Sequence, residues 1–226
     1  MKIMHLADLH IGKTILEQSL LEDQKYMLNQ IINIIKNEKV DIVLIAGDVY
    51  DRTVPSSEAV ELLDDFLNSL IKELKIKVFI ISGNHDSKER LGFGNKIFEE
   101  EGLYIQTTYE GNIRKVTLED EYGNLNIYMM PFIKPIEVSK YFEDEIEDYD
   151  EAFSKIMDKE EINKKERNII LSHQFVTNAG KEPDRCESET LSIGGTENID
   201  VSHFDKFDYV ALRSYSWATK SWKRYY

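Results

Sequence analysis

Val40-Asp41-Ile42-Val43-Leu44-Ile45-Ala46 is apolar at every position but one, rich in β-branched residues, and stops on Gly47-Asp48-Val49-Tyr50-Asp51. A continuous apolar run of this length is what a strand buried on both faces of a parallel sheet looks like. Upstream, Lys2 to Leu6 reads as a short strand that ends in Ala7-Asp8-Leu9-His10. Downstream, Lys77 to Ile81 reads as a third, ending in Ser82-Gly83-Asn84-His85-Asp86. Helices are predicted between them. Leu20 to Asn37 carries Leu20, Met27, Leu28, Ile31, Ile32 and Ile35 on one stripe, and Ser57 to Leu74, opened by Pro55 and Ser56, carries Val60, Leu63, Leu67, Leu70 and Leu74. A further helix is expected over roughly Ser87 to Glu100. This alternation predicts an α/β fold, a β-sheet core flanked by helices, and places any site at the carboxyl ends of the strands.

The middle of the chain changes character. Ile113 to Leu118 and Leu125 to Met130 read as a hairpin around Glu119 to Asn124. The acidic stretch Glu143 to Glu151 reads as a solvated helical face with flanking loop, leading into a helix to about Lys165. Asn168 to Ser172 is a strand that ends at His173, and Asp208 to Leu212 is a last apolar run.

Lysines and arginines number 28 against 42 acidic residues, a formal charge of −14, which argues against a protein that grips nucleic acid by its own basic surface. A phosphate-directed enzyme stays open, since divalent metals or a basic partner subunit supply positive charge where it is needed. The single cysteine, Cys186, leaves no internal disulfide. With no basic segment leading into an apolar h-region, and no apolar run of about 18 residues, the expectation is a cytoplasmic protein that does not enter a membrane.

Four strand ends carry metal-capable residues: Asp8 with His10, Asp48, Asn84 with His85, and His173. Each has a bland reading. Gly47-Asp48 suits a turn, Gly83-Asn84 a turn selected for positive φ, and His173 a hydrogen-bonded core histidine. Four independent strands delivering oxygen or nitrogen donors to one edge by accident is the less economical account. Residues i and i+2 of a strand share a face, so Asp8 and His10 are expected to reach one point. Carboxylate and imidazole together suit a borderline cation such as zinc, manganese or iron. Two ions about 3.5–4 Å apart need a bridging carboxylate, and Asp48, on the central strand, is the natural one. Asp8 and His10 then serve one ion, Asn84 and His173 the other. His85 is placed to contact a phosphate or to protonate a leaving oxygen. Asp51 and Asp86 read as supports or turn residues rather than ligands.

In this order, Asp8-x-His10, Gly47-Asp48-x-x-Asp51 and Gly83-Asn84-His85-Asp86 resemble the calcineurin-like metallophosphoesterase superfamily, and within it the SbcD-type nucleases. Gly47 to Arg52, Ser172-His173-Gln174, Leu191 to Thr196 and Phe207 to Leu212 add to the likeness, which runs over residues 1 to 212. The resemblance implies metal ligands Asp8, His10, Asp48, Asn84 and His173, with His85 catalytic. It implies two divalent ions, Mn2+ with Mg2+ as the alternative, and cleavage of DNA ends and hairpins. The implied partner is an SbcC-type coiled-coil ATPase, and the implied oligomer a homodimer. A small-molecule phosphodiesterase of the same superfamily and a non-catalytic interaction module are the competing readings; a dinucleotide-binding fold is disfavoured because no Gly-x-Gly-x-x-Gly follows the first strand.

The family follows Val-Ala-Leu with Gly-His-x-His, whose histidines complete the two metal sites. Here Leu212 is followed by Arg213-Ser214-Tyr215-Ser216-Trp217, no histidine follows, and both tryptophans lie in this tail. Codons can be chosen for Arg213 to Tyr226 so that the same bases, read one base out of register, give Gly-His-Ile-His-Gly-Pro. The expectation is therefore a metallophosphoesterase domain over 1–212 that is incomplete at its C-terminal end. Residues 213–226 are expected to be an aberrant tail written in a shifted frame, without the capping and ATPase-docking regions, and the literal chain to be impaired. Resequencing the bases after the Leu212 codon tests this, and bases that encode Gly-His-x-His in no frame refute it.

Overall fold

The computed structural model describes residues 1–143, 145–177 and 197–213. Two of the regions singled out above, Leu191 to Thr196 and Ser214 to Tyr226, lie outside the described residues. The chain divides into two compact units, the first Met1–Thr107 and the second beginning at Thr108.

In the first unit, β1 (Ile3–Leu6) leads into a small antiparallel ribbon, β2 (Thr14–Ile15) and β3 (Gln18–Ser19). There follow α1 (Leu21–Glu38), β4 (Ile42–Ala46), α2 (Ser57–Asn68), β5 (Lys77–Ile81), the single turns α3 (Lys88–Leu91) and α4 (Asn95–Phe98), and β6 (Leu103–Gln106). The sheet order is β1-β4-β5-β6 and every pairing is parallel, so all four strands end on the same edge. Every residue of β4 is buried, as its composition requires.

The helices differ from expectation in phase and length. α1 buries Gln24, Leu28 and Ile35, while Met27 is 38% exposed. α2 is capped by Ser56, whose Oγ accepts from the Ala59 N–H at 3.3 Å. It buries Ala59, Leu63 and Phe66, and leaves Val60 46% exposed. Adjacent residues are 100° apart on a helix, so Met27 and Val60 sit beside the buried stripe rather than on it. α2 then passes into one π-helical turn, Ser69–Glu73, that buries Leu70 and Ile71. The helix expected over Ser87 to Glu100 is broken at Gly92 to Gly94, where Gly94 takes a left-handed φ of 74°.

In the second unit, β7 (Arg114–Asp120) and β8 (Gly123–Met130) form the expected antiparallel hairpin. α5 (Pro135–Val138), α6 (Tyr149–Lys159), β9 (Arg167–Ser172), a short parallel pair of β10 (Phe175–Thr177) and β11 (Asn198–Asp200), and β12 (Tyr209–Ala211) complete it. The sheet runs β12-β9-β8-β7, parallel except for the hairpin, so the described residues hold two four-stranded sheets where the alternation pointed to one. α6 buries Ala152, Phe153, Ile156 and Met157 in a core with Tyr128, Met130 and Ile170. It stops well short of Lys165, because its last residues turn to other work. Glu160 accepts from the Ile113 N–H at 2.9 Å, and the Lys159 ammonium donates to the Gly111 carbonyl at 2.7 Å.

Candidate metal centre

Beyond their last sheet residues, β1 and β4 stay zipped together. Asp8 N–H donates to the Gly47 carbonyl (3.2 Å), His10 to Asp48 (2.9 Å), Ile11 to Val49 (2.9 Å) and Asp51 to Ile11 (3.1 Å). The loops remain side by side but leave strand geometry. Asp8, His10 and Asp48 all adopt left-handed backbone, with φ of 52°, 42° and 47°. Asp8 and His10 therefore converge through left-handed turns after β1 has ended at Leu6, not through strand alternation. Such residues cost on the order of 1–3 kcal/mol each, toward the low end for Asp and His. Three on adjacent loops mark a place where the fold holds side chains in a conformation the chain alone would not choose.

The result is a compact donor set. One ligand atom from each of Asp8, His10 and Asp48 lies within 4.8 Å of the others. His10 Nε2 stands 3.9 Å from Asp8 Oδ1 and 3.8 Å from Asp48 Oδ2, and Asp48 is buried. Burial pushes the His10 pKa below its usual value even though Asp48 pulls the other way, so the ring keeps a lone pair to donate. Two carboxylates and a neutral imidazole at this spacing fit a divalent cation, which relieves the repulsion between the acids and takes both donor types. The far side of the imidazole, Nδ1, is 3.6 Å from Asp51 Oδ1, which puts Asp51 where an outer carboxylate orients a ligating histidine.

The β5 loop is fastened to the same place. His85 donates its backbone N–H to Asp48 Oδ1 at 2.9 Å, and its ring meets that of His10 edge-on, with centroids 5.1 Å apart. His85 Nδ1 lies 3.2 Å from the Asp51 carbonyl. A carbonyl only accepts, so Nδ1 carries the hydrogen and Nε2 on the exposed ring is left for chemistry. Asn84 is exposed beside it. Asp86 points inward, and its carboxylate accepts from the N–H groups of Gly83 (2.8 Å), Tyr50 (3.0 Å) and Val49 (3.2 Å). Burial raises the Asp86 pKa against these hydrogen bonds. Asp86 thus ties the β4 and β5 loops together. Gly83 is not among the left-handed residues; its lack of a Cβ matters because a Cβ there would meet Asp48, with Asp48 Cγ at 2.7 Å.

Five of the six expected site residues therefore stand on the carboxyl edge of one sheet, with Asp8, His10 and Asp48 as a cluster. His173 is fully buried directly after β9, in the second unit. One polar residue that sequence reasoning passed over is Gln24 of α1, buried and bonded to the Leu9 and His10 carbonyls. Its signal was a polar side chain in phase with the apolar stripe of Leu28 and Ile35.

Residues 1–210 match the family model of the calcineurin-like phosphoesterases. The chain is 40% identical over 217 residues to the SbcD component of the SbcCD nuclease of Staphylococcus epidermidis, and 39% identical over 216 residues to that of Staphylococcus saprophyticus. Both matches take in 94% of this chain, but only 56% and 55% of the relatives, so the chain spans little more than half their length. A solved structure described as GAP50, the anchor in the inner membrane complex of Plasmodium, is a distant likeness, at 14% identity and a TM-score of 0.39 over 76% of this chain and 54% of that one.

Proposed function

The chain belongs to the calcineurin-like phosphoesterase family, and from that premise we propose that it is the catalytic region of a metal-dependent nuclease that hydrolyses phosphodiesters at DNA ends and hairpins. The observation that carries this reading is the convergence of Asp8, His10 and Asp48 at one sheet edge, all within 4.8 Å. The relatives' name supports a nuclease that works in a complex, and the proposed partner is an SbcC-type coiled-coil ATPase. The metals proposed are two divalent ions, Mn2+ by choice and Mg2+ as the alternative. The proposed setting is the cytoplasm, and a homodimer the proposed oligomer; among the described residues no helix is long and apolar enough to cross a membrane.

When bound, such ions generate a hydroxide nucleophile near neutral pH and offset phosphate charge. Asp8, His10 and Asp48 are the residues that would hold such an ion, their donor atoms lying within 4.8 Å of one another. Asn84 is the proposed amide ligand from the β5 loop, and His173 is kept as a ligand on the family resemblance. With Nδ1–H anchored on the Asp51 carbonyl, His85 would contact the phosphate or, in its doubly protonated form, pass the Nε2 proton to the leaving oxygen and be left neutral with its hydrogen on Nδ1.

The test compares Mn2+ binding and Mn2+-dependent cleavage of duplex and hairpin DNA with hydrolysis of a simple phosphodiester. Asp48→Asn is expected to weaken Mn2+ binding by about 100-fold or more, beyond the 10–100-fold typical of outer-shell partners. His85→Ala is expected to lower turnover and leave Mn2+ affinity unchanged. A chain that cleaves the simple diester and leaves DNA intact is a small-molecule phosphodiesterase. One that binds no Mn2+ is a non-catalytic module.

A further inference from the structure

Gln24 lies in the first turn of α1 on its buried side, 8% exposed. Its Nε2 donates to the carbonyls of Leu9 (3.2 Å) and His10 (2.7 Å), and its Oε1 accepts from the Gly12 N–H at 2.9 Å. Both amide donors and the amide acceptor are therefore spent on one four-residue loop. The arrangement is two-sided. On one side the loop gives the N–H groups of His10 and Ile11 to the β4 loop; on the other its Leu9 and His10 carbonyls go to Gln24. Held between them are two left-handed residues, His10 at φ 42° and Gly12 at φ 91°.

An apolar residue at position 24 would fill the same volume and continue the stripe of Leu28 and Ile35. It would also leave the buried Leu9 carbonyl and the Gly12 N–H without their partner, take from the His10 carbonyl the shorter of its two donors (the Lys13 N–H at 3.1 Å stays), and loosen the peptide planes either side of His10. The His10 backbone would then be held from the β4 loop alone, by its own N–H and that of Ile11, and with the helix side released a shift toward ordinary φ swings the imidazole away from the carboxylates of Asp8 and Asp48. We propose that Gln24 is the positioning residue of the metal centre, holding the Leu9–Gly12 backbone in the left-handed conformation that aims His10 at Asp8 and Asp48. The inference rests on the reading of that cluster as a divalent-metal site.

The test uses the full 226-residue chain. Mn2+ affinity is measured by the loss of the free-ion electron paramagnetic resonance signal, and metal-free stability by thermal unfolding in chelator. Three variants are compared with wild type: Gln24→Met, which keeps the volume and removes all three bonds; Gln24→Glu, which keeps an acceptor for Gly12 and removes both donors; and Leu28→Ala, on the same stripe with no role in the loop. Both Gln24 variants are expected to weaken Mn2+ binding by about 10- to 100-fold. Leu28→Ala is expected to lower the metal-free midpoint at least as far and to keep Mn2+ affinity within about twofold, since its loss is a cavity and not a lost ligand support. Wild-type affinity in Gln24→Met overturns the inference. So does a loss of affinity in Leu28→Ala that matches the Gln24 variants, which would make position 24 merely structural. A wild-type chain that binds no Mn2+ removes the metal centre itself, and the inference falls with it.

Discussion

Gly83 has no room for a side chain. A Cβ there would stand 2.7 Å from Asp48 Cγ and closer still to Asp48 Oδ1 and N, and Asp48 cannot retreat, because His85 holds its Oδ1 at 2.9 Å. Two effects of Gly83→Ala oppose each other. Removing a glycine stabilises by about 0.4–1 kcal/mol through the unfolded chain, while forcing a methyl into packed atoms costs about 1–3 kcal/mol. The clash wins, and it displaces a proposed ligand. The variant is expected to unfold at lower urea concentration and to gain less stability from added Mn2+ than wild type does. At this scale the sequence was informative where chemistry sits in adjacent residues. Asp8, His10, Asp48 and His85 were legible as donors only together, because several independent apolar runs end on such residues while each alone has a bland reading. Their backbone was not. The left-handed φ values at Asp8, His10 and Asp48 are held by hydrogen bonds between two loops and, at His10, by Gln24 on a helix; the tolerance of Asp and His for that region permits them but does not specify them.

Strands were more legible than helices for a similar reason. β4 and β5 are apolar runs of a length that only a buried strand explains, and their bounds fall within two residues of expectation. Helix phase depends on which neighbour a stripe faces, so Met27 and Val60 were placed on it while Gln24 and Ala59 were not. Within the second sheet a polar row does what apolar pattern cannot. Thr117, Asn126 and Asn168 stand in register across β7, β8 and β9. Thr117 Oγ1 donates to Asn126 Oδ1 at 2.7 Å, and Asn126 Nδ2 to Asn168 Oδ1 at 3.1 Å and Glu166 Oε2 at 2.7 Å. Asn168 Nδ2 is bonded in turn to the carbonyls of Glu166 (2.8 Å) and Asn163 (2.9 Å). Because both asparagines are buried, a one-residue slip would leave several polar groups unmatched, which fixes the register. Asn126→Val is expected to cost about 1–3 kcal/mol, since it strands the buried Asn168 amide oxygen, whereas the exposed Thr117 hydroxyl turns to water. Asn126→Val with Asn168→Val is expected to cost less than the sum of the two single changes, because one loss is counted in both. Urea unfolding of the four proteins gives the coupling, and strict additivity would mean that the two asparagines do not interact across β8 and β9.

For the molecule as a whole, charge and site have to be reconciled. A chain at −14 gains little from its own surface toward a polyanion, so on the proposed function phosphate contact would fall to bound cations and to the proposed partner. That makes complete metal ligation the deciding variable, and the tail bears on it. The family resemblance leads one to expect Gly-His-x-His after Val-Ala-Leu, and Arg213 stands where that glycine would be. It is buried, and its guanidinium lies 4.1 Å over the Phe175 ring, so it is built into the second unit rather than left at its surface. The stacking contributes about 1–2 kcal/mol, which a glycine forfeits. If the two expected histidines are ligands, as the resemblance implies, they are worth more to activity, since even outer-shell partners of a metal carry about 10–100-fold in affinity or rate. Changing Arg213→Gly, Ser214→His, Tyr215→Ile and Ser216→His together is therefore expected to raise Mn2+-dependent cleavage by at least about 10-fold, with a small loss of metal-free stability. Arg213→Gly alone is expected to show the stability loss without the gain. Equal cleavage by the fourfold variant and the unaltered chain would mean that the residues after Leu212 contribute no ligand, and that Asp8, His10 and Asp48 work without them.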